Sequence, residues 1–270
     1  MTLPARSTPR LGQVVEASTL LFDRPALEGL ADRLQRDYAS AQPFPHVVLD
    51  DFLPAAAARR LVEEFPPVAE FAPDDQAGGH KAGKFDSSPR TALGAFTRSL
   101  LAQLCCSPFM DFLERLSGVS GLLPDPRGVD SALRHFVRGG RLDVHADFNR
   151  KGRLGLERRV NLIVYLNERW PAGYGGALEL WDREMAGCVT RIPPVFNRAV
   201  VFCVADDAYH GFPDPVRCPE GESRKSLQLY YYAAPRPGVA PHSTIWRGRS
   251  DGPLLGRLPR RVRHWWPSRP

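Results

Sequence analysis

From residue 132 onwards the chain is a succession of short runs rich in β-branched and aromatic residues, each cut off by turn formers. The runs are Ala132 to Val137, Leu142 to Asp147, Val160 to Leu166, Ala177 to Trp181, Cys188 to Ile192, Ala199 to Val204 and Ser226 to Ala233. Strands of this length at this spacing suit an antiparallel sandwich or jelly roll. The first 125 residues read differently. Leu27, Leu30, Leu34 and Tyr38 fall on one face of a helix over 25–40, with Asp23 as its N-cap and Pro25 in its first turn. Further helices are expected from Pro54 to Phe65, over 90–104, and over 108–117 with Ser107 as N-cap and Gly118 at the end. Phe44 to Asp50 reads as a short strand, 66–90 as a loop over the mouth of a site, and 1–24 as an irregular lead-in.

The expected architecture is therefore mainly β with supporting α-helices. Residues 1–125 form a helical support packed on a β core at 126–236, and 237–270 is a basic tail, all in a single domain. The net charge of +6 resides in that tail, where seven Arg and one acid fall between Arg247 and Pro270. A basic, Trp-containing tail reads as a solvated terminus, with contact to nucleic acid or an acidic surface as the alternative. No apolar run approaches the ~20 residues that span a bilayer, and Met1 to Gly12 carries no secretory pattern. The five Cys match no disulfide or zinc framework, which suits reduced thiols in a cytoplasmic protein.

Among seven His, only His145 is followed two positions later by Asp. A strand sends alternate side chains to the same face, so His145 and Asp147 point together. With His210 from just beyond a later strand they would compose two imidazoles and one carboxylate, the facial set that holds Fe(II) and leaves other coordination positions open. Taken alone, His210 in Tyr209-His210-Gly211 reads as a hydrogen-bonding residue at a rim. Arg224, Ser226 and Gln228 share a face of the last strand. A buried Arg requires an anionic partner. A carboxylate of a dicarboxylate ligand fits, with Ser226 as a further donor, and a protein carboxylate is the alternative. Lys225 is the alternative anchor, although its parity places it on the opposite face.

Several motifs occur here in one order: His145-Ala146-Asp147, Val160 to Asn167, Gly175 to Leu180, Tyr209-His210-Gly211 and Arg224 to Leu227. With Phe44 to Leu53 ahead of them, they resemble the Fe(II)- and 2-oxoglutarate-dependent dioxygenase superfamily, in its prolyl 4-hydroxylase-like branch. The resemblance implies a double-stranded β-helix of jelly-roll, cupin-like form. It implies Fe(II) on His145, Asp147 and His210, and 2-oxoglutarate chelating the iron with its far carboxylate on Arg224. Tyr165 matches a position whose hydroxyl contacts that co-substrate, with core packing as the other role, and Leu178 would wall the same pocket. The implied reaction consumes O2, releases succinate and CO2 and hydroxylates an unactivated C–H of a peptide, amino acid or small metabolite, with ascorbate as an accessory. Asp147 argues for hydroxylation, because related halogenases keep that position small. The thirteen residues between His210 and Arg224 exceed the family's usual ten or so, which puts Arg224 in question as the anchor.

Three other readings account for less of the sequence. A nucleic-acid demethylase of this superfamily carries a second Arg six residues after the first, where this chain has Tyr230. A zinc hydrolase would leave Arg224 unexplained, and a metal-free jelly roll would leave the His-Asp-His set unexplained. Nucleic acid and membrane are thus not expected partners. Candidate mouth segments are Phe148 to Arg153, Trp170 to Tyr174 and the 66–90 loop.

Overall fold

The computed structural model describes residues 20–74, 79–88, 91–125, 132–151 and 155–248. Helix α1 (Arg24–Ser40) opens as its sequence dictates. The Asp23 carboxylate accepts from the Ala26 N–H at 3.0 Å, and Pro25 sits where no backbone donor is needed. Strand β1 (His46–Leu49) and helix α2 (Ala55–Glu63) follow. After β2 (Ala72–Pro73) and β3 (Lys81–Asp86) come α3 (Ala95–Gln103) and α4 (Ser107–Ser117). The α4 cap is Cys106, not Ser107, and no side chain bonds there; Gly118 ends the helix in the left-handed conformation. Helix α3 starts five residues later than the sequence pattern suggests, because Glu64 of the preceding segment accepts from the Phe96 and Thr97 N–H groups and fixes its first turn.

The remaining strands are β4 (Leu123–Pro124), β5 (Ala132–Ala146), β6 (Arg150–Lys151), β7 (Leu156–Tyr165), β8 (Leu178–Trp181), β9 (Cys188–Ile192), β10 (Ala199–Cys203), β11 (His210–Phe212), β12 (Ser223–Ala233) and β13 (Ile245–Trp246). All pairings are antiparallel, and the sheet runs β1-β10-β7-β12-β5-β11-β8-β9. The sheet curls into a jelly roll, the double-stranded β-helix.

Strand β5 joins the two halves of this roll. Its first part pairs with β12, Val137 opposite Ser223, and its second part with β11, His145 opposite His210. Gly139-Gly140, a pair that by sequence alone would suit a hairpin turn, instead carries one continuous strand from one half to the other. A Cβ on Gly140 would lie 2.7 Å from the Val137 carbonyl oxygen, and one on Gly83 of β3 would lie 2.9 Å from the Gly140 Cα. Only glycine lets β3 pack against this crossing.

Two expectations are corrected here. The 66–90 segment is not a plain loop, since β3 within it pairs with β5 over Lys81–Leu142 to Asp86–Arg134. The tail beyond 237 is not wholly outside the fold, since β13 pairs Ile245 with Ala146 and Trp246 with His145. The 1–19 lead-in, and the basic stretch beyond 248 with most of its Arg, lie outside the described residues.

The alternation of β7, β10 and β12 sorts two cores. Leu162, Val164, Val201, Leu227, Leu229 and Tyr231 face the helices and pack with Leu61, Leu100, Phe109, Phe112 and Leu113. On the other face Ile163, Tyr165, Val200 and Phe202 meet Leu178, Leu180 and Ile192 inside the roll. Burying a side chain of this size contributes about 1.5–3 kcal/mol, so the helical layer holds the outer face while the inner one is left to shape a cavity. None of the helices formed by described residues is long and apolar enough to cross a membrane.

Candidate metal and co-substrate site

Opposed register brings the two histidines together. His145 ends β5 and His210 begins β11, directly across the ladder, with ring centroids 4.5 Å apart. Asp147 follows two residues after His145 and turns to the same side. Its Oδ1 lies 3.4 Å from the His145 Nε2, and its Oδ2 lies 3.9 Å from the His210 Nε2. The three ligand atoms all fall within 4.8 Å of one another, and all three residues are buried.

The second ring nitrogens settle which atoms face the centre. His145 Nδ1 lies 2.9 Å from the Asp143 carbonyl oxygen, and His210 Nδ1 lies 3.0 Å from that of Ala208. A carbonyl accepts only, so each Nδ1 carries the proton and each Nε2 turns a lone pair inward. Burial, with His145 alongside, pushes the His210 pKa down to about 4 and keeps it neutral. For Asp147, burial opposes ionisation, but the Arg158 guanidinium outweighs it and holds the carboxyl well below its ordinary range. Asn161 donates to its Oδ2 at 2.7 Å and fixes the rotamer. Two imidazole Nε2 atoms and an ionised carboxylate converging on one point are the donor set a divalent iron takes. Gly211 beside His210 is required by packing, since a Cβ there would sit 2.8 Å from the Leu142 carbonyl oxygen.

These side chains open on a cavity of about 270 Å3. Arg224, Ser226, Gln228 and Tyr230 of β12 line it in strict alternation, with Leu178, Ile163, Phe136 and Phe212 as apolar wall. Arg224 is buried. Its Nε donates to the Gly176 carbonyl at 2.7 Å, one terminal nitrogen donates to the Tyr165 hydroxyl at 3.2 Å, and its guanidinium carbon lies 4.5 Å from the Phe212 ring centre. Burial draws its pKa down from the ordinary guanidinium value. Among the described residues no carboxylate pairs with it, so a protein counter-ion does not account for its position. Lys225 does not line the cavity; its N–H donates to the Asn167 side-chain oxygen on the other face. Tyr165 does not line it either. That ring is packed in the inner core, and only its hydroxyl reaches Arg224.

Residues 131–232 match the family described as the 2OG-Fe(II) oxygenase superfamily. The chain carries a 2OG-Fe(II) oxygenase domain. Among curated proteins no sequence matches it. Two similar solved structures share its fold. One is a prolyl hydroxylase in complex with a hypoxia inducible factor oxygen degradation domain peptide fragment from Trichoplax adhaerens. It is 16% identical over 77% of this chain and 91% of that one, with a TM-score of 0.55. The other is a prolyl 4-hydroxylase from Phytophthora capsici, 20% identical over 82% of this chain and 69% of that one, with a TM-score of 0.54.

The oxygenase domain also brings residues to the cavity that the sequence pattern does not single out. The Arg158 guanidinium lies between the Phe148 and Tyr230 rings, 3.8 and 3.6 Å from their centres, and 3.4 Å from Asp147 Oδ2. Trp246 of β13 lies 4.9 Å from the His145 ring and stacks on His80 at 4.7 Å. Of the expected mouth segments, 66–90 contributes Asp74, Lys81, Lys84 and Asp86, and the next contributes Phe148. Trp170 and Tyr174 instead pack on each other and on the cluster around Phe136 and Phe212.

Proposed function

We propose that the oxygenase domain is a 2-oxoglutarate-dependent hydroxylase whose Fe(II) is held by His145 Nε2, Asp147 and His210 Nε2. Arg224 takes the far carboxylate of 2-oxoglutarate. The observation that carries this reading is a pair: three inward-facing metal donors, and a buried guanidinium that lines the same cavity and meets no carboxylate among the described residues. When bound, iron with 2-oxoglutarate and O2 supplies oxidative chemistry that ends in succinate, CO2 and a hydroxylated C–H bond. Ascorbate is proposed as an accessory reductant and the cytoplasm as the compartment.

The protein's own contribution is placement. The Nδ1–H to carbonyl bonds aim both imidazoles, Asn161 and Arg158 hold the carboxylate, and the Ser226 hydroxyl beside Arg224 adds a donor for the co-substrate. Leu178, Ile163 and Phe212 exclude water around that end, which strengthens the charge pairing. The remaining lining, toward Trp246, Tyr230 and Lys84, is left for a peptide residue or a small molecule.

The test is succinate release from 2-oxoglutarate with Fe(II) and O2. His145→Ala is expected to lower turnover by at least about a hundredfold, as loss of a metal ligand does, and turnover that survives it removes the iron assignment.

A further inference from the structure

Along the β3–β5 wall of the cavity, five charged side chains form an alternating chain. Lys81 Nζ lies 2.5 Å from Asp74, Lys84 Nζ lies 2.6 Å from Asp74 and 2.9 Å from Asp86, and the Arg134 fork grips Asp86 through Nε at 2.5 Å and its far nitrogen at 2.9 Å. Both ends of the chain are cations, so it carries one unneutralised positive charge. Gln228, across the cavity wall, accepts from the third nitrogen of Arg134. These residues are buried or nearly so, yet all of them line the cavity. A purely structural ion chain has no reason to do that.

The charge balance of the whole cavity points the same way. Among its described lining residues are five cations, Lys81, Lys84, Arg134, Arg158 and Arg224, against three carboxylates, Asp74, Asp86 and Asp147. A divalent iron and a dicarboxylate cancel each other, so loading the site leaves the excess positive charge of the Lys81–Arg134 chain in place. An excess of one sign in a low-dielectric cleft attracts the opposite sign and rejects its own. The cavity, about 270 Å3, is at the small end for ligand sites, which admits one residue-sized group beside the co-substrate.

We propose that the substrate of this site bears a carboxylate, received by Lys84 and Lys81 at the mouth, and that the Lys81–Asp74–Lys84–Asp86–Arg134 chain selects it over neutral and cationic analogues. The inference rests on the hydroxylase reading above. Because Arg134's fork is already engaged by Asp86, the lysine ammoniums are the donors left to the ligand: Lys81 uses one contact and Lys84 two of three N–H groups. Asp74 and Asp86 serve to hold the lysines in place.

The test is calorimetric titration of protein loaded with Mn(II) and 2-oxoglutarate under argon. The probes are N-acetylglycine and N-acetyl-L-proline, each beside its primary amide and beside its methylamine analogue of opposite charge, with methyl phosphate as a further arm. The carboxylates are expected to bind at least about tenfold more tightly than their amides, with a preference that weakens as NaCl is raised. Lys84→Met and, separately, the more exposed Lys81→Met are expected to reduce that preference in protein shown to be loaded. The salt dependence of the unmodified protein stands even if a variant fails to fold. Amides or amines binding as well as acids, methyl phosphate binding alone, or no carboxylate binding up to about 50 mM overturns the proposal. Failure of 2-oxoglutarate itself to bind the Mn(II) protein overturns the hydroxylase reading instead.

Discussion

Two buried arginines on neighbouring strands line the cavity and are treated in opposite ways. Arg134 on β5 is gripped by Asp86, which burial would neutralise but which Arg134 and Lys84 hold well below the ordinary carboxylate range. Arg224 on β12 has a carbonyl, a phenol hydroxyl and three aromatic rings around it, and among the described residues no carboxylate. A charge buried without its opposite destabilises a fold unless something else offsets it. Arg134 finds its carboxylate within the protein, whereas Arg224, among the described residues, does not, and that contrast is what supports Arg224 as the proposed co-substrate anchor.

The largest effect expected from this contrast is on co-substrate affinity. Arg224→Met is expected to weaken 2-oxoglutarate binding to the Mn(II) protein by about 4 kcal/mol, close to a thousandfold. It is also expected to melt no lower than the parent, because it removes an unpaired buried charge. A clear fall in melting temperature would show that Arg224 is held by the fold after all. Asp86→Asn should behave in the reverse way. It strands Arg134, while Lys84 keeps Asp74, so urea denaturation is expected to show a loss of about 3 kcal/mol, with 2-oxoglutarate affinity little changed. Equal stability of the two variants would erase the distinction between the two arginines.

Most of the metal and co-substrate end is legible in the sequence because it obeys the period of two. His145 and Asp147 share a face, as do Arg224, Ser226 and Gln228, and the cavity receives each of them. Arg158 escapes that logic. The register of β7 against β12 slips between Val160–Tyr231 and Arg158–Tyr232, and the extra residue in this bulge turns Arg158 to the inner face beside Asn161. Strand β3 escapes it too, since Lys-Ala-Gly-Lys-Phe-Asp lacks β-branched residues. Its strand geometry comes from pairing with β5 and from the ion chain, both of them long-range. Trp246 lies in a stretch whose composition announces only a basic tail. Its place against His145 depends on a two-residue pairing with β5.

A third buried group, one position from Arg134, sharpens the contrast through pH. His135 points to the opposite face of β5, between Ser223 Oγ at 2.7 Å and the Pro66 carbonyl at 3.1 Å, edge-on to Phe65 and Phe71. Burial pushes its pKa from 6.5 down to about 4, although the Pro66 carbonyl pulls the other way. The unfolded chain therefore binds the proton first. The stability contributed by neutral His135 is fully present above pH 6.5 and is lost as pH falls toward 4. Relative to His135→Gln, the unmodified protein is expected to lose about 2 kcal/mol more between pH 7 and 4.5 in urea titrations. Parallel pH profiles for the two proteins would mean that the imidazole protonates without cost.

The smallest expected effect separates two roles for Tyr165. Its hydroxyl accepts from Arg224 at 3.2 Å while its ring is fully buried in the inner core, away from the cavity surface. Its place suits a group that positions the guanidinium. Tyr165→Phe keeps the ring and removes one hydrogen bond, so 2-oxoglutarate affinity is expected to fall by about 1 kcal/mol, roughly fivefold. The melting temperature should stay close to the parent's, because the pairing lost is to a group that Gly176 still holds. A loss as large as that of Arg224→Met would put the hydroxyl in direct contact with 2-oxoglutarate. No loss at all would leave Arg224 oriented by Gly176 and its aromatic walls alone, and Tyr165 as packing.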